Sequence, residues 1–279
     1  MNKILVIGAS GRVGRLLLGN LIATGESVRA SSRNPETANF PAEVESVAAD
    51  ITKPVTMTAA LNGITKVFLY ANPEGIQGFV KEAKEAGVKH IVLLSSSAVL
   101  SGNEDNFVVR RHLTVERAII QSGIAYTFLR PGAFATNALL WRYQIINEDK
   151  VSFPFPLAQS APIHESDIAA VAVKALTCPG FEGATPFLTG PESLTQLRQV
   201  ELIGAAIGKI IRFKELTPEK APEIMSKYMP LPFVQILIKA FQSNNGTKAA
   251  LSENVEKITG RPAMKFAEWA KDHKNDFIN

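Results

Sequence analysis

Gly8, Gly11 and Gly14 stand where a backbone must turn sharply and come close to something it binds. The apolar run Ile4 to Ile7 precedes them, and an apolar helical period at Leu16, Leu17, Leu21 and Ile22 follows. A strand, a glycine turn and a helix in that order offer unpaired N–H groups and the positive end of a helix dipole to an anion. The expected occupant is a pyrophosphate, held by Gly8, Ser10, Gly11, Arg12, Val13 and Gly14. The G-x-x-G-x-x-G spacing differs from the dinucleotide fingerprint G-x-G-x-x-G. The expectation therefore rests on the position of the triplet between strand and helix, and an ordinary tight turn is the competing reading.

The second apolar segment ends in Ser31-Ser32-Arg33-Asn34-Pro35. An NAD-binding sheet places an acid near this point for the ribose 2′-hydroxyl, and none stands between 31 and 34. Ser32 and Arg33 instead suit a 2′-phosphate, with Arg12 in reach of the same group. NADP(H) is accordingly expected in preference to NAD(H). Asp50, after the third strand, either accepts from an adenine amino group or caps the next turn.

The elements that position these residues are legible as short apolar runs and helical periods. Strands are expected at 3–7, 27–31, 44–48, 65–70, 89–95 and 125–129, with helices at 12–23, 54–61, 75–86 and 109–122. This alternation predicts an α/β fold, a Rossmann-like doubly wound parallel sheet with right-handed crossovers. Ligands bind such sheets at the carboxyl ends of the strands. Gly8, Arg33, Asp50, Tyr70, Ser95 to Ser97 and Pro131 should then share one rim, with Tyr70, Ala71 and Asn72 flanking the cofactor.

The later chain reads as a smaller, mostly helical C-terminal lobe. Helices are expected at 166–177 (Ser166 as N-cap), 193–207, 218–228, 232–242, 246–258 and 263–275, with a loop and short strand at 151–163 and a strand at 185–189. The domain division expected is 1–136 for the NAD(P)-binding domain, with 160–177 returning to it. Residues 137–159 and 178–279 form the substrate-binding lobe. The apolar segment 229–241 reads first as a packed core helix, with a substrate lid or an oligomer face as alternatives.

Composition bounds the function. Hydrophobic residues make up 46% of 279 and charged residues 20%, the values of a water-soluble globular protein, and no apolar run reaches membrane-spanning length. The first strand begins within three residues of the start, leaving no room for a signal peptide, so the expected location is cytoplasmic. Cys178 is the single cysteine, which excludes an internal disulfide. His90, His164 and His273 show no metal-ligand spacing, so no metal is expected. Net charge is +4, and the one tight basic cluster, Arg110-Arg111-His112, is too short to imply nucleic acid. The expected partner is a small molecule, and the protein a monomer or homodimer.

Several stretches together resemble one family. They are Gly8-Ala-Ser-Gly-Arg-Val-Gly14, Ala86-Gly-Val-Lys-His-Ile-Val-Leu-Leu-Ser-Ser96 and Gly123-Ile-Ala-Tyr-Thr-Phe-Leu-Arg-Pro-Gly132. Ile163-His-Glu-Ser-Asp-Ile-Ala169, Thr189-Gly-Pro-Glu-Ser-Leu-Thr195 and Thr259-Gly-Arg-Pro extend the match over nearly the whole chain. The chain resembles the NmrA-like, atypical short-chain dehydrogenases/reductases. That resemblance implies NAD(P)H binding at the rim, and either reduction of quinones, dyes or related acceptors or nucleotide sensing without catalysis. It also implies that Pro131, Gly132, Ala133 and Phe134 lie beside the nicotinamide ring.

The Tyr-x-x-x-Lys pair of the wider reductase family is absent: none of Tyr70, Tyr126, Tyr143 and Tyr228 has Lys four residues on. By resemblance to the isoflavone-reductase-like branch, His112 falls where a lysine stands, which makes it a candidate proton donor or ribose contact. An exposed helix histidine is the alternative. Glu116, one turn on, orients it or pairs with a cation. Ser95 is expected at the cofactor, and Ser96 either bonds a substrate carbonyl or caps a turn. Phe134, Asn137 and Trp141 are the expected acceptor contacts, with Phe153 and Phe155 as further candidate stacking rings or simply core. The leading expectation is an NADPH-dependent oxidoreductase transferring hydride to a conjugated acceptor such as a quinone. The alternative is an NADP(H)-binding redox-sensing regulator without turnover.

Overall fold

A computed structural model describes residues 3–278. The chain first alternates strands and helices: β1 Lys3–Ile7, α1 Arg12–Ala23, β2 Ser27–Ser32, β3 Glu45–Ala48, α2 Val55–Leu61, β4 Lys66–Tyr70, α3 Ile76–Glu85, β5 His90–Leu94, α4 Phe107–Ser122 and β6 Ala125–Pro131. It continues through α5 Arg142–Glu148, β7 Lys150–Phe153, β8 Gln159–Ser160, α6 Glu165–Thr177, β9 Phe187–Leu188, β10 Leu194–Thr195 and α7 Gln196–Ile207. The last elements are β11 Arg212–Glu215, α8 Ala221–Met225, α9 Leu231–Ser243, α10 Asn254–Thr259 and α11 Phe266–Asp272.

Two compact units result. The first holds the chain up to Pro131 together with Glu165–Leu188 and Asn254–Arg261. Its sheet has seven parallel strands in the order β3-β2-β1-β4-β5-β6-β9, so the order reverses between β1 and β4. The register sets Ile7 beside Ser31, Ser32 beside Ala48, Tyr70 beside Leu94 and Pro131 beside Leu188, which brings the carboxyl ends of the strands to a common rim. One face of the sheet is covered through Met57 of α2, Phe79 of α3 and Ile119 of α4, packed with Leu5, Val67, Ile91 and Phe128. The other carries α1 packed against α6, and α6 also touches β4, β5 and β6. Side chains buried as completely as Phe79 and Phe128 contribute about 1.5–3 kcal/mol each. This is the doubly wound Rossmann-like arrangement that the alternating pattern predicts, and it rests on strands too apolar to leave either face in water.

The second unit holds Gly132–His164, Thr189–Glu253 and the chain from Pro262 onward. Helices dominate it. Its core gathers Val151 and Phe153 of β7, Val200 and Ile203 of α7, Val234 of α9, and Phe266 and Trp269 of α11. Segment 229–241 forms α9, which packs Leu237, Ile238 and Phe241 on this core and leaves Leu231 and Phe233 exposed.

Several expected bounds shift, each for a local reason. α6 begins at Glu165, so Ser166 sits inside the first turn and is not the N-cap; Glu165 and Asp167 put acids at the positive helix end. α7 starts at Gln196, because Leu194–Thr195 pairs with β8 and the Thr195 hydroxyl oxygen caps Arg198 N at 3.0 Å. Of 246–258 only Asn254–Thr259 is helical. Gly246 has a φ of +72°, and the N–H groups of Ala249 and Ser252 donate to Ser193 and Thr189 hydroxyls. Helix α8 is confined to Ala221–Met225, between Pro218 and Pro230. Residues 135–148, which carry no clear helical period, form a 3-10 turn over Ala135–Trp141 and then α5.

Candidate functional site

The glycine turn is built of three glycines with different duties. Gly8 has a φ of +73°, and a Cβ there would stand 2.9 Å from Tyr70 Cδ1. At Gly14 a Cβ would stand 2.3 Å from the Gly8 carbonyl oxygen, so α1 can begin against β1 only without a side chain. Gly11 differs: its backbone is extended, it is exposed, and a Cβ would meet only Gly8 O, at 3.2 Å. The fold requires glycine at 8 and 14, whereas at 11 a Cβ asks only for a small adjustment of the Gly8 carbonyl, and the side chain would project where a ligand approaches. Gly11 N donates to Gly8 O at 2.9 Å, while the first turn of α1 has no acid and no side-chain cap. The N–H groups of Arg12, Val13 and Gly14 therefore face outward at the positive helix end. Ser10 and Arg12 are exposed beside them. Arg15, not foreseen in the sequence, braces the turn through Ser10 O at 3.1 Å and Ala38 O at 2.9 Å.

Along the rim from the turn, Arg33, Asn34, Ala48, Asp50, Lys53 and Thr56 line an open cleft. Arg33 and Lys53 are exposed, so two cations border it. Ser32 Oγ accepts from Asn34 N at 3.2 Å and keeps its own proton to donate. Asp50 Oδ1 accepts from Thr52 N at 3.0 Å and from Thr52 Oγ1 at 2.8 Å, which makes it the cap of a turn. These hydrogen bonds hold its carboxyl below the usual carboxylate range, with smaller help from Lys53 and Arg33. The cradle and the cleft fit a phosphate-bearing dinucleotide: N–H donors at Arg12, Val13 and Gly14, then Arg33 and Lys53 beside the Asp50 carboxylate, with no acid on β2 itself.

Where the strand order reverses, Tyr70 lies over Gly8 and remains 37% exposed. Ala71 is buried, and its carbonyl accepts from Arg111 Nε at 3.1 Å, tying α4 to the loop after β4. Asn72 Oδ1 accepts from Glu74 N at 3.2 Å, so this residue also shapes its own turn.

Farther along, Ser95 is not an open rim residue. It is buried, and its hydroxyl donates to Glu116 Oε1 at 2.6 Å. Arg130 holds the same carboxylate with two bonds, Nε to Oε1 at 3.0 Å and Nη2 to Oε2 at 2.6 Å. Glu116 thus pairs with a cation and does not orient His112. This buried cluster locks the ends of β5 and β6 to α4. Ser96 Oγ accepts from Ala98 N at 3.2 Å, capping a short turn and leaving its O–H to donate.

His112 is half-buried on α4, with Nδ1 2.7 Å from Val108 O. A carbonyl only accepts, so Nδ1 carries the proton and Nε2 is left with a lone pair. Burial lowers its pKa below the ordinary histidine range, outweighing the Val108 bond, and Arg111 lowers it further. At neutral pH His112 is a neutral acceptor rather than a proton donor. Tyr126 stacks on Phe128 with ring centroids 4.2 Å apart, packed against the core.

In the first unit Pro131 ends β6, paired with Leu188. Gly132, Ala133 and Phe134 open the second unit, where Ala133 O accepts from Ile163 N at 2.9 Å. Within that unit Phe134, Asn137 and Trp141, three expected acceptor contacts, line a single cavity of about 190 Å³ with Phe153 and Phe241. Phe155 is not on its wall. Gln159, Ser160, Gln196 and Gln199 supply polar groups there. They lie 25 to 65 residues beyond Phe134 along the chain, and no motif announces them.

Gly11→Val should fold with a melting temperature lowered less than that of Gly14→Ala, yet lose at least about a hundredfold in NADPH affinity, a difference of about 2.7 kcal/mol. Gly14→Ala should instead destabilise the fold by about 1–3 kcal/mol through overpacking. Fluorescence titration with NADPH and thermal melts separate the two. Glu116→Ala should cost about 1.5–3 kcal/mol in urea unfolding, because it removes two charge-assisted bonds from the half-buried Arg130 and the one from Ser95.

A family model described as NAD(P)H-binding matches residues 8–179. The chain is 35% identical to a (4-alkanoyl-5-oxo-2,5-dihydrofuran-3-yl)methyl phosphate reductase of Streptomyces griseus, over 98% of this chain and 99% of that one. It is 32% identical to an NAD(P)H azoreductase of Xenophilus azovorans, over 98% and 99%. The solved structure of an NADPH-dependent quinone oxidoreductase of Escherichia coli in complex with NADPH superposes with a TM-score of 0.84 at 23% identity, covering 96% of this chain and 99% of that one, a likeness of fold. Among the described residues, no helix is long and apolar enough to cross a membrane. From the outward glycine cradle, the matched segment and relatives that are reductases along their full length, the chain belongs to the NAD(P)H-binding, NmrA-like group of atypical short-chain dehydrogenases/reductases and is an oxidoreductase of that family.

Proposed function

We propose that the protein is an NADPH-dependent reductase of a conjugated acceptor such as a quinone. The observation that carries this is the turn at Gly8–Gly14, where Gly11 is exposed and the first turn of α1 offers its backbone N–H groups with no acid and no side-chain cap beside them. Pyrophosphate sits there, held by Ser10, Gly11, Arg12, Val13 and Gly14. Arg33, with Ser32, Arg12 and Lys53, holds the 2′-phosphate in the open cleft. Tyr70, Ala71 and Asn72 wall the crevice where the strand order reverses. The loop Pro131–Phe134 borders the nicotinamide, and Phe134, Asn137 and Trp141 contact the acceptor.

When bound, NADPH supplies a hydride, and the acceptor takes it up with one proton from solvent to become the dihydroxy product, leaving NADP+. His112, neutral with a bare Nε2, accepts from a ribose hydroxyl and so positions the cofactor. Ser96 keeps a free O–H, a donor for negative charge that gathers at the carboxyl end of β5. The buried Ser95–Glu116–Arg130 cluster keeps the rim rigid beneath these groups. A quinone needs little acid help, which makes the missing Tyr–Lys pair tolerable. The curated relatives named as azoreductase and quinone oxidoreductase support a flat conjugated acceptor.

The test is NADPH oxidation followed at 340 nm against a panel of quinones and azo dyes. Turnover of at least one quinone is expected; tight NADPH binding with no turnover of any acceptor would make the protein a nucleotide sensor. NADPH should bind more tightly than NADH, and Arg33→Ala should narrow the gap by about tenfold, about 1.5 kcal/mol or more. Equal wild-type affinities would contradict the assignment. His112→Ala should raise the KM for NADPH about threefold to tenfold with kcat little changed, and His112→Gln should restore part of it. In the wild type that affinity should be flat above neutrality and fall as pH drops below the ordinary histidine range, where Nε2 gains a proton. A collapse of kcat in His112→Ala at saturating NADPH would make it a catalytic residue instead.

A further inference from the structure

One cation at the rim of the first unit has no anion. Arg111, on α4, is half-buried, and its Nε donates to the Ala71 carbonyl at 3.1 Å. Among the described residues it forms no ion pair, and Nη1 and Nη2 have no hydrogen-bond partner. Neither of those nitrogens is buried, so both are open to a ligand. The acids of the neighbourhood are already taken. Glu104 is held by Arg117 with two bonds, at 2.9 and 2.6 Å, and its carbonyl accepts from Arg110. Glu116 is held by Arg130 and Ser95.

The bond to Ala71 sets where the guanidinium lies. Ala71 is 6% exposed and follows Tyr70, the residue whose ring covers Gly8. Both belong to the carboxyl end of β4, beside the reversal of strand order where open α/β sheets bind ligands. α4 packs on the sheet face that carries α3, whereas α1 lies on the other face against α6. Arg111 thus comes to the wall of the crevice from the face opposite to α1. A guanidinium has five N–H donors in one rigid plane. Tying Nε to a carbonyl fixes that plane and leaves the Nη1–Nη2 edge, a fork that matches two oxygens of a phosphate. The glycine turn itself offers N–H groups and a helix end equivalent to only about half a charge.

We infer that Arg111 is a cofactor-binding residue, and that its Nη1–Nη2 edge grips the pyrophosphate of the dinucleotide from the side opposite to the glycine turn. This rests on the reading of that turn as the pyrophosphate cradle. The bridge between the two halves of the cofactor is then held by backbone N–H groups on one side and a fixed cation on the other. Besides burial, the charge of Arg111 lowers the pKa of His112, so the cation stands close to the ring that receives the ribose hydroxyl. One side chain does two things: it ties the loop after β4 to α4 and turns its free edge to the ligand. The two are separable, because a glutamine at 111 can donate to the Ala71 carbonyl but carries no charge, whereas a lysine keeps the charge and lacks the fork.

Calorimetric titration of the full-length protein with NADPH, and with adenosine 2′-phosphate as a ligand lacking the pyrophosphate, tests this without any turnover. Arg111→Gln should weaken NADPH about tenfold or more and leave adenosine 2′-phosphate within about twofold of the wild type. Raising the salt from about 50 mM to about 500 mM should shrink the NADPH loss to about threefold, because an accessible ion pair is screened. Arg111→Lys should bind NADPH more tightly than Arg111→Gln. In the wild type, NADPH affinity should fall with salt more steeply than that of adenosine 2′-phosphate, a comparison that decides the matter even where neither variant folds. A merely structural tie to Ala71 gives the opposite results: glutamine rescues better than lysine, and salt leaves the loss unchanged. Either of those, NADPH binding by Arg111→Gln within about twofold of the wild type, or equal salt dependence of the two ligands would each overturn the inference. If Gly11→Val still loses NADPH while Arg111→Gln does not, the clamp falls and the cradle stands; a wild type that binds no NADPH removes both.

Discussion

The backbone of the first helix lies so close to the end of the first strand that a single methyl group at Gly14 would come within 2.3 Å of the Gly8 carbonyl. Everything on the rim depends on that approach. It lets α1 begin directly beneath the sheet edge, so that its first N–H groups open toward the crevice between β1 and β4, where the strand order reverses. Tyr70 closes over Gly8 from the neighbouring strand, and Arg15 ties the turn to the loop after β2. A side chain at position 8 or 14 damages the fold, whereas one at position 11 asks for a smaller shift of the Gly8 carbonyl and fills space that the turn leaves open. The same three residues therefore serve stability and binding in separable ways.

The second constraint is the carboxylate of Glu116, 3% exposed and bonded by Ser95 and Arg130. Burying an ion pair brings little net stability, but breaking one is expensive. Its effect is geometric: β5, β6 and α4 cannot slide past each other at the rim. In reductases with a Tyr-x-x-x-Lys pair, the helix after the fifth strand carries the chemistry. Here that helix carries Glu116 facing inward and His112 bonded to its own backbone. In the proposed reading the helix positions groups, and the reactive step falls to the cofactor and the acceptor.

The first half of the fold is readable because each strand is a continuous apolar run and each helix has a clear period. α1 is read at Arg12–Ala23 without error, and the other strands and helices up to β6 to within two residues at each end. The absence of an acid at 31–34 is equally visible as a property of one short segment. Residues fail to announce themselves where tertiary pairing decides. Ser95 reads as a rim hydroxyl until Glu116 and Arg130, distant in the chain, enclose it. Asp50 reads equally as a ligand contact and a turn cap, and the bonds of its Oδ1 to Thr52 make it a cap, a pairing that no motif announces. The region after 135 is hardest. Its elements are short, stop at glycines and prolines, and draw on side-chain hydroxyls for their ends. Gln196 belongs to this class: nothing about a glutamine after Leu-Thr marks it, and its amide is held by two carbonyls some forty residues earlier.

Direct hydride transfer from a cofactor held on the glycine turn is the claim on which the functional account stands. The measurement that bears on it most directly is the rate of quinone reduction with NADPH and with NADPH deuterated at the transferred position of the nicotinamide. The account predicts a slower reaction with the deuterated cofactor, a primary isotope effect clearly above unity under single-turnover conditions. Quinone-dependent oxidation at the same rate with both cofactors, or none above the rate without protein, would contradict it.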